Sequence, residues 1–291
     1  NGYEFQNIDI DASYSPDNIG GTVSIDDPNV RLTDEGTVGR TGAAPHVQLN
    51  IHVDELRPDL LNLTQQWKGA VFCGDLTADF NAANINNAQG TLDLDNFRFE
   101  SSDTQYSLNH LHVVSGYDDD QKHYVKMNSD FGELLLRGTF DYATLPQSIA
   151  NIVSNHLPTL PGLPAVRKTN NDFAFQLQLD NTELLNILFD VPFATRQPLL
   201  LGGFVNDSQQ TISIMGNCPA FTYDGNEYSD AALHADTKAD TLYCTASVTR
   251  NNENGNPLLL NVRTKAADNQ LSASINISRS EERRVGKECR S

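Results

Sequence analysis

The sequence predicts an all-β protein with a few short helices. The expected architecture is an elongated, curled antiparallel β-groove, taco-like, built from repeated strand–helix–strand units. Three observations predict it. Apolar residues recur at every second position along most of the chain. Polar residues fill the alternate positions, as in antiparallel strands packed on one side only; doubly buried parallel strands read instead as unbroken Val/Ile/Leu runs. Clusters of Gly, Asn, Asp and Pro separate the runs at turn spacing.

The alternating runs follow in order. Ile8, Ile10, Ala12 and Tyr14 open the series, and Val47, Leu49, Ile51 and Val53 continue it. Next come Leu76, Ala78, Phe80 and Ala82, and then Leu92 and Leu94 followed by Phe97 and Phe99. The Asp95-Asn96 step shifts the phase of that last run and predicts a bulge. Leu134, Leu136, Gly138 and Phe140 close the first half. The second half reads Phe173, Phe175, Leu177, Leu179; Leu242, Cys244, Ala246, Val248; Leu258, Leu260, Val262; and Leu271, Ala273, Ile275, Ile277. Applied along the whole chain, the same template gives about fifteen strands. Turns are expected at Gly20-Gly21, Asp27-Pro28, Asp118 to Asp120, Asn206-Asp207, Asp224-Gly225, Asn254-Gly255 and Asp268-Asn269.

Three helices interrupt the strands. Leu56, Leu60, Leu63 and Trp67 form one apolar stripe and predict a helix over 54–67. Leu145, Ile149, Ile152, Val153 and Leu157 predict another over 145–157, bracketed by Pro146 and Pro158. A third, short one follows Asn181, the expected cap, through Leu184, Leu185 and Leu188. The pattern also repeats at an offset of 122 residues, which maps Phe99, Tyr106-Ser107 and Leu111-His112 onto Phe221, Tyr228-Ser229 and Leu233-His234. Residues 1–157 are therefore the expected first repeat unit, 158–172 a linker and 173–278 the second. Residues 279–291 resemble read-through of a sequencing-adapter oligonucleotide. We read them as a cloning or assembly remnant and the rest as an interior piece of a longer protein.

Composition excludes several classes. The 291 residues carry 20 basic and 38 acidic side chains, a net charge of −18. Nucleic-acid binders need a basic face, so nucleic acid is not an expected partner. No apolar run reaches the roughly 18–20 residues of a membrane-spanning helix. The cysteines (Cys73, Cys218 and Cys244, with Cys289 in the suspected remnant) show no zinc-ligand spacing, and a Cys218–Cys244 bridge stays open. There is no GxSxG, HExxH, GxxxxGK[ST] or GxGxxG motif, so neither an enzyme nor a cofactor is expected. His110 and His112 lie two apart on one strand face without a third ligand near them in sequence, so an ordinary strand surface is the default over a metal site. Asp118-Asp119-Asp120 reads as a solvated hairpin tip rather than a calcium loop. Asp9/Asp11 and Asp93/Asp95 put two carboxylates on one strand face, as a glycosidase pair does, yet the acidic surplus makes them the wet face of a sheet. Asn62-Leu63-Thr64 and Asn206-Asp207-Ser208 match glycosylation acceptors only in form.

An open one-sided sheet leaves an apolar trough, and exposed apolar area on that scale is normally a binding surface. Fifteen strands at about 4.8 Å would make it about 70 Å long. Its expected lining is Val47, Leu49, Ile51, Leu92, Leu94, Leu134, Leu136, Phe173, Phe175, Leu177, Leu258, Leu260 and Leu271. Burial of an acyl chain there gains about 0.8 kcal/mol per methylene.

The stretch from Gly90 to Phe99 (GTLDLDNFRF), Tyr106 to His112 and Gly132 to Tyr142 (GELLLRGTFDY) resembles the TamB / AsmA-like family. Leu177 to Leu185 and Leu201-Gly202-Gly203-Phe204 are similar to that family's next unit. The resemblance spans most of residues 45–278. It implies a non-enzymatic, periplasmic portion of an inner-membrane-anchored protein of the Gram-negative envelope. It also implies phospholipid acyl chains as ligand, a role in lipid transfer, protein secretion or outer-membrane assembly, and a BamA-like barrel as partner. The alternative class is a secreted or surface β-rich binding module, an adhesin or glycan binder. That class predicts exposed aromatic platforms, and the one Trp, Trp67, sits on an expected core stripe. A β-helix lyase or hydrolase needs carboxylates clustered with Arg or Lys, and no such cluster is visible.

Overall fold

A computed structural model describes residues 2–41, 44–251 and 256–279. The Asn254-Gly255 turn, Cys289 and residues 280–291 of the suspected remnant lie outside the described residues. The chain divides into two compact units, one ending at Tyr142 and the other beginning at Ala143. The described residues are mostly antiparallel β with two short α-helices.

The first unit is a meander of nine strands, each paired antiparallel to the next. They are β1 (Ile8–Ser15), β2 (Asn18–Asp27), β3 (Val30–Thr41), β4 (Ala44–Leu56), β5 (Val71–Asn81), β6 (Gln89–Glu100), β7 (Gln105–Tyr117), β8 (His123–Ser129) and β9 (Gly132–Thr139). Among the described residues no pairing closes this sheet into a barrel.

The second unit starts with α1 (Leu145–His156), then β10 (Asp172–Leu179), α2 (Glu183–Phe189) and β11 (Phe193–Thr195). A meander completes it: β12 (Leu199–Asn206), β13 (Thr211–Tyr223), β14 (Asn226–Lys238), β15 (Thr241–Arg250), β16 (Leu258–Ala267) and β17 (Gln270–Arg279). β10 pairs with β12 and the short β11 with β13. The remaining strands pair in chain order.

Several expectations need correction. Residues 57–70 are not a helix. One turn forms, with Leu61 N–H donating to Arg57 O. Asn62 then adopts a left-handed conformation at φ 58°, and the Asp59 carboxylate accepts from Gly69 N–H instead of continuing the turn. Leu61 is buried, while Leu60 and Leu63 of the expected stripe are exposed. The strand–helix–strand repeat therefore does not form in the first half. What repeats is the hairpin: Phe99 pairs across β6–β7 with Tyr106, and Phe221 pairs across β13–β14 with Tyr228.

Gly20-Gly21 is not a turn. It lies inside β2, where a Cβ on Gly21 would stand 2.2 Å from Asp11 O, and the chain reverses at Pro16-Asp17 instead. Asn181 does not cap α2, whose N-cap is Thr182, without a side-chain capping bond. The division between units falls after Tyr142, so α1 and the Pro158–Pro164 loop both belong to the second unit. Asn151 of α1 ties down the chain just beyond that loop, donating to Arg167 O at 2.6 Å.

The bulge at Asp95-Asn96 is present. The β5–β6 register slips between Cys73 and Asp75, and Asn96 takes φ 53°. Asp224-Gly225 and Asp268-Asn269 are two-residue turns with positive φ at both residues, as the twist of tight hairpins requires. No helix among the described residues is long and apolar enough to cross a membrane.

Candidate functional site

Cross-strand register sorts the side chains of each unit onto two faces. In the first unit one continuous row runs Ala12, Gly21, Gly36, Leu49, Ala78, Leu92, Val113, Met127 and Leu134. Side chains alternate along a strand, so neighbouring rows on the same face hold Val47 and Ile51 of β4, Leu94 of β6 and Leu136 of β9. Most of these residues are only half-buried. Toward β1 the face opens to solvent, with Ile10 63% and Tyr14 78% exposed. Asp34 puts an acid on this face, between Val23 and Ile51.

The second unit repeats the design. Leu177, Leu201, Gly216, Leu233, Ala246, Val262 and Ile275 form one cross-strand row. The small residues in it leave a hollow of about 410 Å³ between Leu201, Cys218, Phe221, Tyr228, Val248 and Leu260. Phe221 stacks on Tyr228 at 5.1 Å to form one wall. α1 packs against β12, β13 and β15, and Val205, Ile212 and Ala266 are buried at that end of the face. At the other end β17 is exposed along its whole length.

All thirteen expected lining residues lie on these two apolar faces. Two of them, Leu136 and Phe173, are buried and offer little surface to a ligand. Sequence periodicity did not single out Tyr228, Phe221 and Cys218 as walls of the hollow, and it placed Ala246 in an alternating run without assigning it to the expected lining. The offset-122 aromatic pair was the available signal for the first two.

The opposite face of the first unit carries a set of His–carboxylate pairs. His46 Nε2 lies 2.7 Å from Asp79 Oδ1, and His52 Nδ1 lies 2.5 Å from Asp75 Oδ1. His110 Nδ1 lies 2.9 Å from Asp95 Oδ1, and His112 Nδ1 lies 2.5 Å from Asp93 Oδ1. Each carboxylate of the Asp93/Asp95 pair thus serves a histidine, which is not the arrangement of a glycosidase pair. The bond to Asp95 raises the pKa of His110, and the bonds to Asp75 and then Asp54 raise that of His52. Asp75 is held low, first by the Asn96 amide and then by His52. Asp93 brings a third donor beside His110 and His112. It comes from the preceding strand, so the β6–β7 register reveals it where local sequence spacing does not.

Other candidates resolve into structure. Asp118 closes the β7–β8 turn by accepting from the N–H groups of Asp120 and Lys122, and it pairs with Arg137. Cys218 and Cys244 are free and stand on β13 and β15 with β14 between them. Two strand spacings, about 9.6 Å, exceed the reach of a disulfide. Trp67 packs edge-on against Phe72 rather than forming an exposed platform.

His123 is a buried histidine of the first unit with a hydroxyl partner. Its Nε2 lies 2.8 Å from Ser115 Oγ, and that hydroxyl donates to Ala88 O at 2.7 Å. The Ser115 hydroxyl therefore has a backbone carbonyl acceptor as well as the imidazole beside it. Burial pushes the His123 pKa down. A histidine kept neutral in the fold contributes stability that is full above about pH 6.5 and is lost as pH falls through the folded-state value. Between pH 7.5 and pH 5 the urea midpoint should therefore fall further for the native protein than for His123→Phe. An equal fall in both would refute this source of acid sensitivity.

Comparisons with protein-family models, with curated proteins and with solved structures return no match to this chain.

Proposed function

We propose that the protein is a non-enzymatic lipid-transfer or outer-membrane assembly segment whose apolar sheet faces shield phospholipid acyl chains. In this reading it works in the periplasm of a Gram-negative cell, with a BamA-like outer-membrane barrel as a partner. One observation carries the reading. Each unit holds a continuous apolar cross-strand row whose side chains are mostly half-buried or exposed, and in the second unit the row borders an open hollow of about 410 Å³. That volume lies in the usual range for small-molecule sites. The lining is hydrocarbon with few polar groups, so it rewards methylene burial at about 0.8 kcal/mol each and does not select a headgroup. The sequence resemblance to the TamB / AsmA-like family points the same way.

The test is organic extraction of the purified protein followed by mass spectrometry, with displacement of a fluorescent fatty acid as the quantitative readout. Native protein should carry phospholipid. Leu94→Asp should lose binding on the first unit's face, because a carboxylate there repels the acyl chain. Ala246→Phe should fill the hollow and weaken binding in the second unit by about tenfold or more, with the far-UV spectrum unchanged. Lipid-free native protein that ignores the fluorescent probe at millimolar concentration would overturn the reading.

A further inference from the structure

We propose that Asp93, His110 and His112, on the polar face of the β6–β7 hairpin, bind a divalent transition ion of the zinc class. One donor atom from each of the three lies within 4.8 Å of the other two. It is the one such group among the described residues. Two imidazoles and a carboxylate are the donor set of zinc, nickel and copper rather than of calcium or magnesium, which take oxygen ligands.

The backbone supplies the arrangement. His110 and His112 are two apart on β7, so both project from the same face. Their rings lie nearly parallel, 12° apart in plane, with centroids at 6.0 Å. Asp93 stands directly across the ladder from His112, and Asp95 directly across from His110. Both strands are interior to the meander, paired on both sides, which fixes the Cα positions of all three donors.

Asp95 is a positioning residue. Its carboxylate holds His110 Nδ1 at 2.9 Å, which leaves Nε2 as that ring's donor to an ion. A carboxylate behind a ligating histidine fixes the tautomer and raises the ring's basicity. Asp93 and His112 already share one close contact at 2.5 Å, and an ion entering there takes the place of the proton between them. The three donor atoms lie within 4.8 Å of one another, a looser limit than the ligands of one tetrahedral ion keep, so binding draws the side chains inward by a small rotation. All three are only partly buried and have room to make it. Water would fill the remaining coordination positions. The site faces away from the apolar row, so it is independent of acyl-chain binding.

Isothermal titration of the chelator-treated full chain with zinc chloride tests the proposal, with nickel chloride as a second probe. Native protein should bind one ion at micromolar concentration. His112→Ala and Asp93→Asn should each weaken binding about tenfold or more, whereas His46→Ala and His234→Ala should leave it unchanged. Imidazole nitrogen NMR shifts of His110 and His112 should move on titration. In Asp95→Asn the His110 tautomer signal should change and affinity fall about tenfold. The absence of heat and of imidazole shifts at millimolar zinc would overturn the assignment. So would unchanged affinity in the double variant His110→Ala/His112→Ala with the fold intact by circular dichroism.

Discussion

Gly90→Val is expected to destabilise the first unit by about 3–5 kcal/mol, at the severe end for a single substitution. Gly90 opens β6 at φ 151°, directly opposite Phe80 on β5. A Cβ built there meets Asp79 O at 1.8 Å, with Asp79 C and Phe80 Cα both at 2.8 Å. Every one of those atoms is backbone, so no rotamer change relieves the clash, and the two strands must separate. Gly203→Val should behave similarly, because its Cβ falls 2.0 Å from Ser213 O. Gly216→Ala is the contrast. Its Cβ meets the end of the Leu201 side chain at 2.8 Å, which can rotate away. Urea denaturation of the three variants should give two large losses and one of about 1 kcal/mol. Comparable stability for Gly90→Val and Gly216→Ala would refute the close-approach argument.

The glycines also show what was legible in the sequence. Period-two alternation placed Val47, Leu49, Ile51, Leu92 and Leu94 on one face, because sheet geometry enforces that period whatever the strand's neighbours. The phase break at Asp95-Asn96 was readable for the same reason. Gly20-Gly21 misled, because a glycine pair marks a turn and a close strand approach with the same letters. The 57–70 segment misled differently. Its Leu/Trp stripe has helical spacing, but Asn62 in a left-handed conformation and the Asp59–Gly69 bond end the helix after one turn. A local propensity lost there to a local hydrogen bond that pattern counting does not weigh. The Asp93–His110–His112 group was invisible for a third reason. Its spacing is set by which strands pair and in what register, and register is a tertiary fact. The 122-residue offset carried part of that information, because it fixes Phe99–Tyr106 and Phe221–Tyr228 as equivalent pairs.

Asp207→Ala is expected to cost the second unit about 3 kcal/mol and to loosen α1 from its sheet. Asp207 sits just after β12, 8% exposed, and one carboxylate oxygen, Oδ2, accepts from both Ser148 Oγ at 2.9 Å and Asn171 N–H at 2.7 Å. Ser148 lies on α1 and Asn171 just ahead of β10, so one side chain joins helix, entering strand and β12. The Asn171 amide returns to the Ser148 hydroxyl at 2.7 Å and closes the network. Truncation leaves a buried hydroxyl and a buried backbone N–H without this acceptor, each worth about 1–3 kcal/mol. Ser148→Ala removes only one of the Asp207 bonds and should cost less. The two losses should be non-additive in a double variant, since both report the same junction. Loosening α1 would bare the Val205, Ile212 and Ala266 end of the apolar face, so Asp207→Ala should also bind more of an apolar dye than Ser148→Ala does. A loss under about 1 kcal/mol with no gain in dye binding would show instead that apolar packing around Ile152, which is fully buried on α1, holds the helix without the polar clamp.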